Sequence, residues 1–142
     1  MEKSPRILRT DTITVKNAIG EIDFKASYLT TEIKYVRVDT SYGIKQSKRG
    51  IDSDDNAVLV IDLNDLVAVQ DEEIAEFVDV DNFNMEPGTF TLSGGDTVVF
   101  NNREYTINKV NTKRNLSGAP VFVEVYLKWV KQYMNLILIM LN

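Results

Sequence analysis

Few residues here are equipped for chemistry, and their spacing tests each option. Asp52, Asp54 and Asp55 form a dense carboxylate group around Ser53. Alternating carboxylates in a loop can grip a divalent cation. A calcium loop opening at Asp52 needs glycine at its sixth place and glutamate at its twelfth. Ala57 and Leu63 stand there instead. Ser53 lacks the neighbouring base that would make its hydroxyl a nucleophile. The chain's 142 residues include no histidine and no cysteine. That excludes the Ser-His triad, the thiolate zinc site, the cysteine nucleophile and a disulfide framework. The sequence holds no phosphate-cradling glycine loop and no nucleophile elbow, and Gly94-Gly95-Asp96 reads as a hairpin turn. Among 21 acidic residues, pairs arise by chance. Acid catalysis would also need a buried carboxyl of raised pKa. The expectation is a binding or building part, not an enzyme, with no cofactor and no metal.

Charge is distributed unevenly along the chain. Residues 1–50 carry ten basic and six acidic side chains, and residues 97–142 carry six basic and two acidic ones. Residues 51–96 carry 13 acidic side chains and no lysine or arginine. Three readings of that block stand side by side. It is a solvated acidic face; or it is one half of a self-complementary contact, with the acidic edge of one copy set against a neighbour's basic edge; or it is a cation site at Asp52, Asp54 and Asp55. The net charge of −5 argues against tracking nucleic-acid phosphates. The local cluster of Lys45, Lys48 and Arg49 therefore reads as a solvated loop.

Hydrophobic residues make up 44% and charged residues 26%, the balance of one globular domain over residues 1–142. Strand signals run through it. Ile7 to Val15, Tyr28 to Val38, Ala57 to Leu63, Thr89 to Leu92, Asp96 to Phe100 and Glu104 to Val110 are of strand length and composition. Asn101-Asn102 suits a tight turn, because asparagine tolerates positive φ. From Pro120, strict alternation puts Val121, Val123, Val125, Leu127 and Trp129 on one face. Phe122, Glu124, Tyr126 and Lys128 form a mixed second face that suggests partial exposure or a partner. Asp65 to Phe77 has Leu66, Val69, Ile74 and Phe77 roughly at helical spacing and could form a turn or two of helix.

The fold expected is mainly β: a small barrel or sandwich of about six to seven antiparallel strands. Its core runs over about 28–130, with a long loop at 39–56 and a C-terminal apolar arm at 131–142. Val130 to Leu141, about 12 residues interrupted by Lys131, Gln132 and Asn135, falls short of the roughly 20 needed for a membrane span. No membrane partner is expected. The polar stretch Met1 to Arg6 lacks an apolar signal core, so cytoplasmic synthesis is the expectation. Leu136 to Leu141 is six apolar residues in a row, which must pack on this barrel or dock on another chain.

The order of these pieces carries a resemblance. A Thr-x-Ile-x-x-Val stretch (Thr31 to Val36) precedes a long polar loop containing Gly50. An Asp-rich turn then leads into an apolar strand, Asp52 to Leu63. Phe90-Thr-Leu-Ser-Gly-Gly-Asp-Thr-Val-Val follows and runs on to Tyr105-Thr-Ile-Asn-Lys-Val. Over roughly residues 28–128 this resembles the head-completion proteins of tailed phages, the head–tail connectors or stoppers also called minor capsid proteins. The resemblance implies a small β-barrel with a long inserted loop. It implies a homo-oligomeric ring in the virion at the head–tail junction, closing the packaged head and docking the tail. Implied partners are neighbouring connector or adaptor proteins, tail proteins and, through the channel, the packaged DNA end. The interface candidates are Tyr42, Ile44, Lys45, Lys48 and Arg49 in the loop, Glu72 and Glu73 in the acidic block, and Leu136, Ile137 and Leu138 in the arm. A tail-terminator or other tail-associated ring remains an alternative, which substantial helix would favour. A cytoplasmic β-barrel module for a ligand or peptide is the alternative from another class.

Overall fold

Alternation along the chain becomes a curved wall. In the computed structural model, which describes residues 9–40 and 56–129, the expected last strand is β10 (Pro120–Trp129). Val123, Val125 and Leu127 point inward and are buried, while Phe122, Glu124 and Tyr126 are half-buried on the outside. β10 pairs antiparallel with β9 (Arg103–Arg114) on one side and β3 (Ala57–Asp62) on the other. β3 pairs with β2 (Lys25–Asp39), β2 with β1 (Asp11–Ile22), β1 with β8 (Thr97–Phe100), and β8 with β9. The chain is thus mainly β, with a closed six-stranded antiparallel barrel. Closure gives each wall strand two neighbours and removes open edges from the wall. The barrel takes in β1 as well as the residues from 28 onward: Ile13 and Val15 are fully buried beside Ile33 and Val36 of β2.

Long strands close so small a barrel only if they bend, and bulges supply the bend. Tyr35 is an extra residue in β2, since Asp11 faces Val36 and Thr12 faces Lys34. Asn108 in β9 and Val121 in β10 are extra in the same way. Tyr35 takes a φ of 67°. Inside, Leu59, Ile61, Val98, Tyr105, Ile107 and the inward residues of β10 fill the barrel with side chains. Asn101 and Asn102, at φ 51° and 63°, make the expected tight turn between β8 and β9.

Two expectations need correction. The segment Asp65 to Phe77 is extended, and no α-helix occurs among the described residues. β4 (Val67–Gln70) lies along β2, with Val67 opposite Lys34 and Val69 opposite Glu32. β5 (Glu73–Ile74) folds back on it, and β6 (Glu76–Phe77) pairs in parallel with β7 (Thr89–Phe90). Valine loses rotamer freedom in a helix and packs well on a pleated ladder, so pairing with the edge of β2 prevails over a short helix. Gly94-Gly95 is a turn, but not a hairpin. β7 and β8 flank it and do not pair with each other. The Gly95 N–H bonds instead to the Ile107 carbonyl, 2.8 Å away.

Residues 71–96 form a cap across one end of the barrel, held by two buried amides. Gln70 donates to Thr31 Oγ1 (2.9 Å) and to the Thr89 carbonyl (2.6 Å), and it accepts from the Gly88 N–H (2.8 Å). Asn17 donates to the Thr91 carbonyl (2.8 Å) and to Asp96 (2.9 Å), and it accepts from the Thr91 N–H (3.2 Å). These bonds seat Phe90 and Leu92 in the core. At the β3–β4 turn, buried Arg9 lies 2.9 Å from Asp65 and 3.9 Å from Asp62.

Urea unfolding should rank the two devices. Leu127→Ala opens a cavity and should cost about 2–5 kcal/mol. Gln70→Ala strands buried donors and acceptors and should cost about 1–3 kcal/mol. Leu116→Ala, in the exposed β9–β10 turn, should change stability by less than about 0.5 kcal/mol.

Candidate assembly interface

Surface chemistry differs at the two ends of the barrel. At the capped end, the turn joining β4 to β5 presents Asp71, Glu72 and Glu73, with Glu76 just beyond, and all four are exposed. Asp71 and Glu72 take φ of 46° and 69°, which turns the chain back within two residues. Glu72 and Glu73, two of the expected interface residues, therefore sit together at the tip of a short acidic hairpin. Ile74 lies among these carboxylates and is 81% exposed. Elsewhere on the cap, Arg114 at the end of β9 grips Asp79 through two bonds of 3.1 and 2.9 Å. That hydrogen-bonded pairing with Asp79 raises the Arg114 pKa.

A two-stranded ribbon leaves the barrel at the same end. β8 pairs with β1 only over Thr14–Lys16. Beyond Asn17, β1 and β2 run on together to a turn at Asp23-Phe24, with Ile19 as an extra residue in β1. Neither has another strand beside it there among the described residues. The ribbon carries Ile22 (65% exposed), Phe24 (99% exposed) and Tyr28. Phe24 has φ 64°, a conformation that disfavours bulky side chains.

The opposite end mixes aromatic rings, cations and carboxylates: Asp39 ends β2 beside Thr40, Asp11 Oδ2 accepts from the Val38 N–H (2.8 Å), and Glu104 is exposed on β9. The Arg103 guanidinium lies 4.7 Å from the centre of the Trp129 ring, and the Lys109 ammonium lies 4.5 Å from that of Tyr126. The Tyr126 hydroxyl donates to Glu124 (3.1 Å). Lys128 is exposed on the neighbouring part of β10. A cleft of about 320 Å³ opens here between Thr40, Phe100, Asn101, Arg103 and Tyr105. Trp129 takes the inward side of β10 but lies past the barrel's edge, so it is 36% exposed rather than core. Its backbone N–H donates to Asn56 Oδ1 (2.7 Å). Thr40 and Asn56, the two ends of the long insertion, are thus both at this end. Tyr42, Ile44, Lys45, Lys48 and Arg49 lie outside the described residues, as do Asp52, Asp54, Asp55, Leu136, Ile137 and Leu138.

Sequence reasoning found the acidic tip and missed the ribbon and the cation-covered aromatics. Ile22-Asp-Phe-Lys25 has no glycine, asparagine or proline to mark a turn. Arg103 and Trp129 are far apart in the chain and meet only through the β9–β10 pairing. No helix among the described residues is long and apolar enough to cross a membrane. Comparison with protein-family models, curated proteins and solved structures finds no match.

Reversing the acidic tip tests its role. Glu72→Lys combined with Glu73→Lys should leave the thermal midpoint within a few degrees, because both residues are exposed. Self-association or docking, read by light scattering, should weaken.

Proposed function

We propose that this protein is a structural assembly subunit that forms a ring at the head–tail junction of a tailed phage. There it would close the packaged head and dock the tail. Phe24 carries the assembly part of this reading. A bulky side chain held at positive φ costs backbone energy, of order 1–3 kcal/mol, and full exposure returns no packing within the subunit. A partner that covers Phe24, Ile22 and Tyr28 supplies the missing burial. The place in the virion rests on the motif order from Thr31 to Val110 and on a barrel of the kind that the resemblance implies. The barrel interior, filled with aliphatic side chains, favours a building part over a ligand-binding module. The cap, which among the described residues holds short strands and one 3-10 turn but no α-helix, favours a connector over a helix-bearing terminator.

The test is mass by light scattering, alone and with tailless heads, for the native chain and for Phe24→Gly. The native chain should reach ring-sized mass or bind the heads. Phe24→Gly relieves the turn and should raise stability by about 1 kcal/mol while losing association. A native monomer that ignores the heads would overturn the reading.

A further inference from the structure

We infer that the β1–β2 ribbon of one copy pairs edge to edge with the ribbon of the next, β1 against β2, so that the ribbons of a ring close into one β-tube. The inference rests on the ring reading and adds the contact that would build it. The ribbon has two open edges among the described residues. Along β1, pairing with β8 stops at Lys16, and Asp96 Oδ1 accepts from the Ala18 N–H (3.2 Å). The open edge of β1 therefore runs from Ile19 to Ile22. Along β2, pairing with β4 begins only at Glu32, which leaves Lys25 to Thr30 open. An open edge presents a row of backbone N–H and C=O groups, a template for a strand of another chain.

Two open edges on one ribbon name the occupant as a second copy. A foreign strand added to either edge covers it and leaves a new edge beyond itself. A twofold contact, β1 on β1 or β2 on β2, leaves the other edge of each copy open. Copies joined β1 to β2 around a closed ring cover every edge, because each ribbon supplies the edge that its neighbour needs. Strand direction agrees. β1 runs out to the turn and β2 returns, so β1 beside a neighbour's β2 is antiparallel with both ribbons pointing the same way. Charge follows the same division. Between Asn17 and Thr30 the charged residues are Glu21, Asp23 and Lys25, and all three are exposed. The acids lie on the outgoing half and the cation on the returning half. Within a ribbon Ile22 faces Lys25, so with the tips level Glu21 lies within one residue of the neighbour's Lys25 along the joint. A β1–β1 joint would instead set Glu21 close to its own kind. The level tips also bring Phe24, 99% exposed in the single subunit, against the same side chain of each neighbour.

Disulfide trapping tests the contact, and the chain has no cysteine of its own to confuse it. Glu21→Cys, Lys25→Cys and Ala26→Cys are made as separate variants. Each alters an exposed residue, and circular dichroism checks that each folds. Two cysteines bridge only when their Cα atoms come within about 7 Å. Glu21→Cys is co-assembled with Lys25→Cys or with Ala26→Cys, which cover the two adjacent registers, and treated with a mild oxidant. One of the two mixtures should give covalent heterodimers, identified by intact mass. Each variant alone should give at least about tenfold less dimer, because like edges do not meet. If the native chain assembles and neither mixture gives heterodimer, the contact is wrong and the ring reading survives. The contact is equally wrong if Glu21→Cys alone dimerises as well as the mixtures do. Should a cysteine variant fail to assemble, charge reversal decides. Glu21→Lys should weaken association at least about tenfold, and adding Lys25→Glu to the same chain should restore it. Failure to restore it overturns the contact. If the native chain assembles neither alone nor on tailless heads, the ring reading fails and takes this contact with it.

Discussion

The ladder between β1 and β2 is the constraint on which the rest of this structure depends. Without it, β1 would end the sheet beyond β8, and β2 would be left with β3 and β4 beside it. By pairing with both β8 and β2, β1 turns an open sheet into a barrel and gives its inward residues a common interior. Closure in turn dictates where bending must occur. The extra residues at Tyr35, Asn108 and Val121 appear where long strands need to coil around a small circumference. The same ladder runs past the barrel and becomes the ribbon, so one pairing both builds the core and projects Phe24 into solvent.

Closure also separates the surface chemistry. An antiparallel barrel sends alternate connections to opposite ends. The connection containing β5 to β7 falls at one end and carries eight of the acidic block's 13 carboxylates. The ends of the long insertion and of β10 fall at the other, beside Arg103 and Trp129. Buried amides fix this arrangement more firmly than the short cap strands could. Asn17 and Gln70 each bond three groups, and together they hold a segment with little regular structure of its own. The result is a subunit with two unlike ends, the minimal requirement for a directional, repeating contact.

Part of this was legible in the residues. β10 could be read from strict alternation, because period-two burial is a local property of a strand with one face inward. The β8–β9 turn was legible in Asn101-Asn102 for an equally local reason, the tolerance of asparagine for positive φ. The acidic tip could be located because charge is additive along a chain. β4 could not: Leu66, Val69, Ile74 and Phe77 fit a helical period as well as they fit strands. Only the exposed edge of β2, supplied from more than 30 residues earlier in the chain, decided between them.

The sequence by itself determined a mainly β chain without histidine or thiol chemistry, with a segregated acidic block and strong alternation in its last described strand. These follow from composition and short-range pattern. Only the tertiary structure decided that the sheet closes, that residues 71–96 of the acidic block cap one end, and that cations lie over Trp129 and Tyr126. Each of these depends on residues brought together across the chain: Asn17 on Thr91, Gln70 on Thr31, Arg103 on Trp129. Their meeting is governed by strand register, and register is set by the collective burial of both faces rather than by any residue alone.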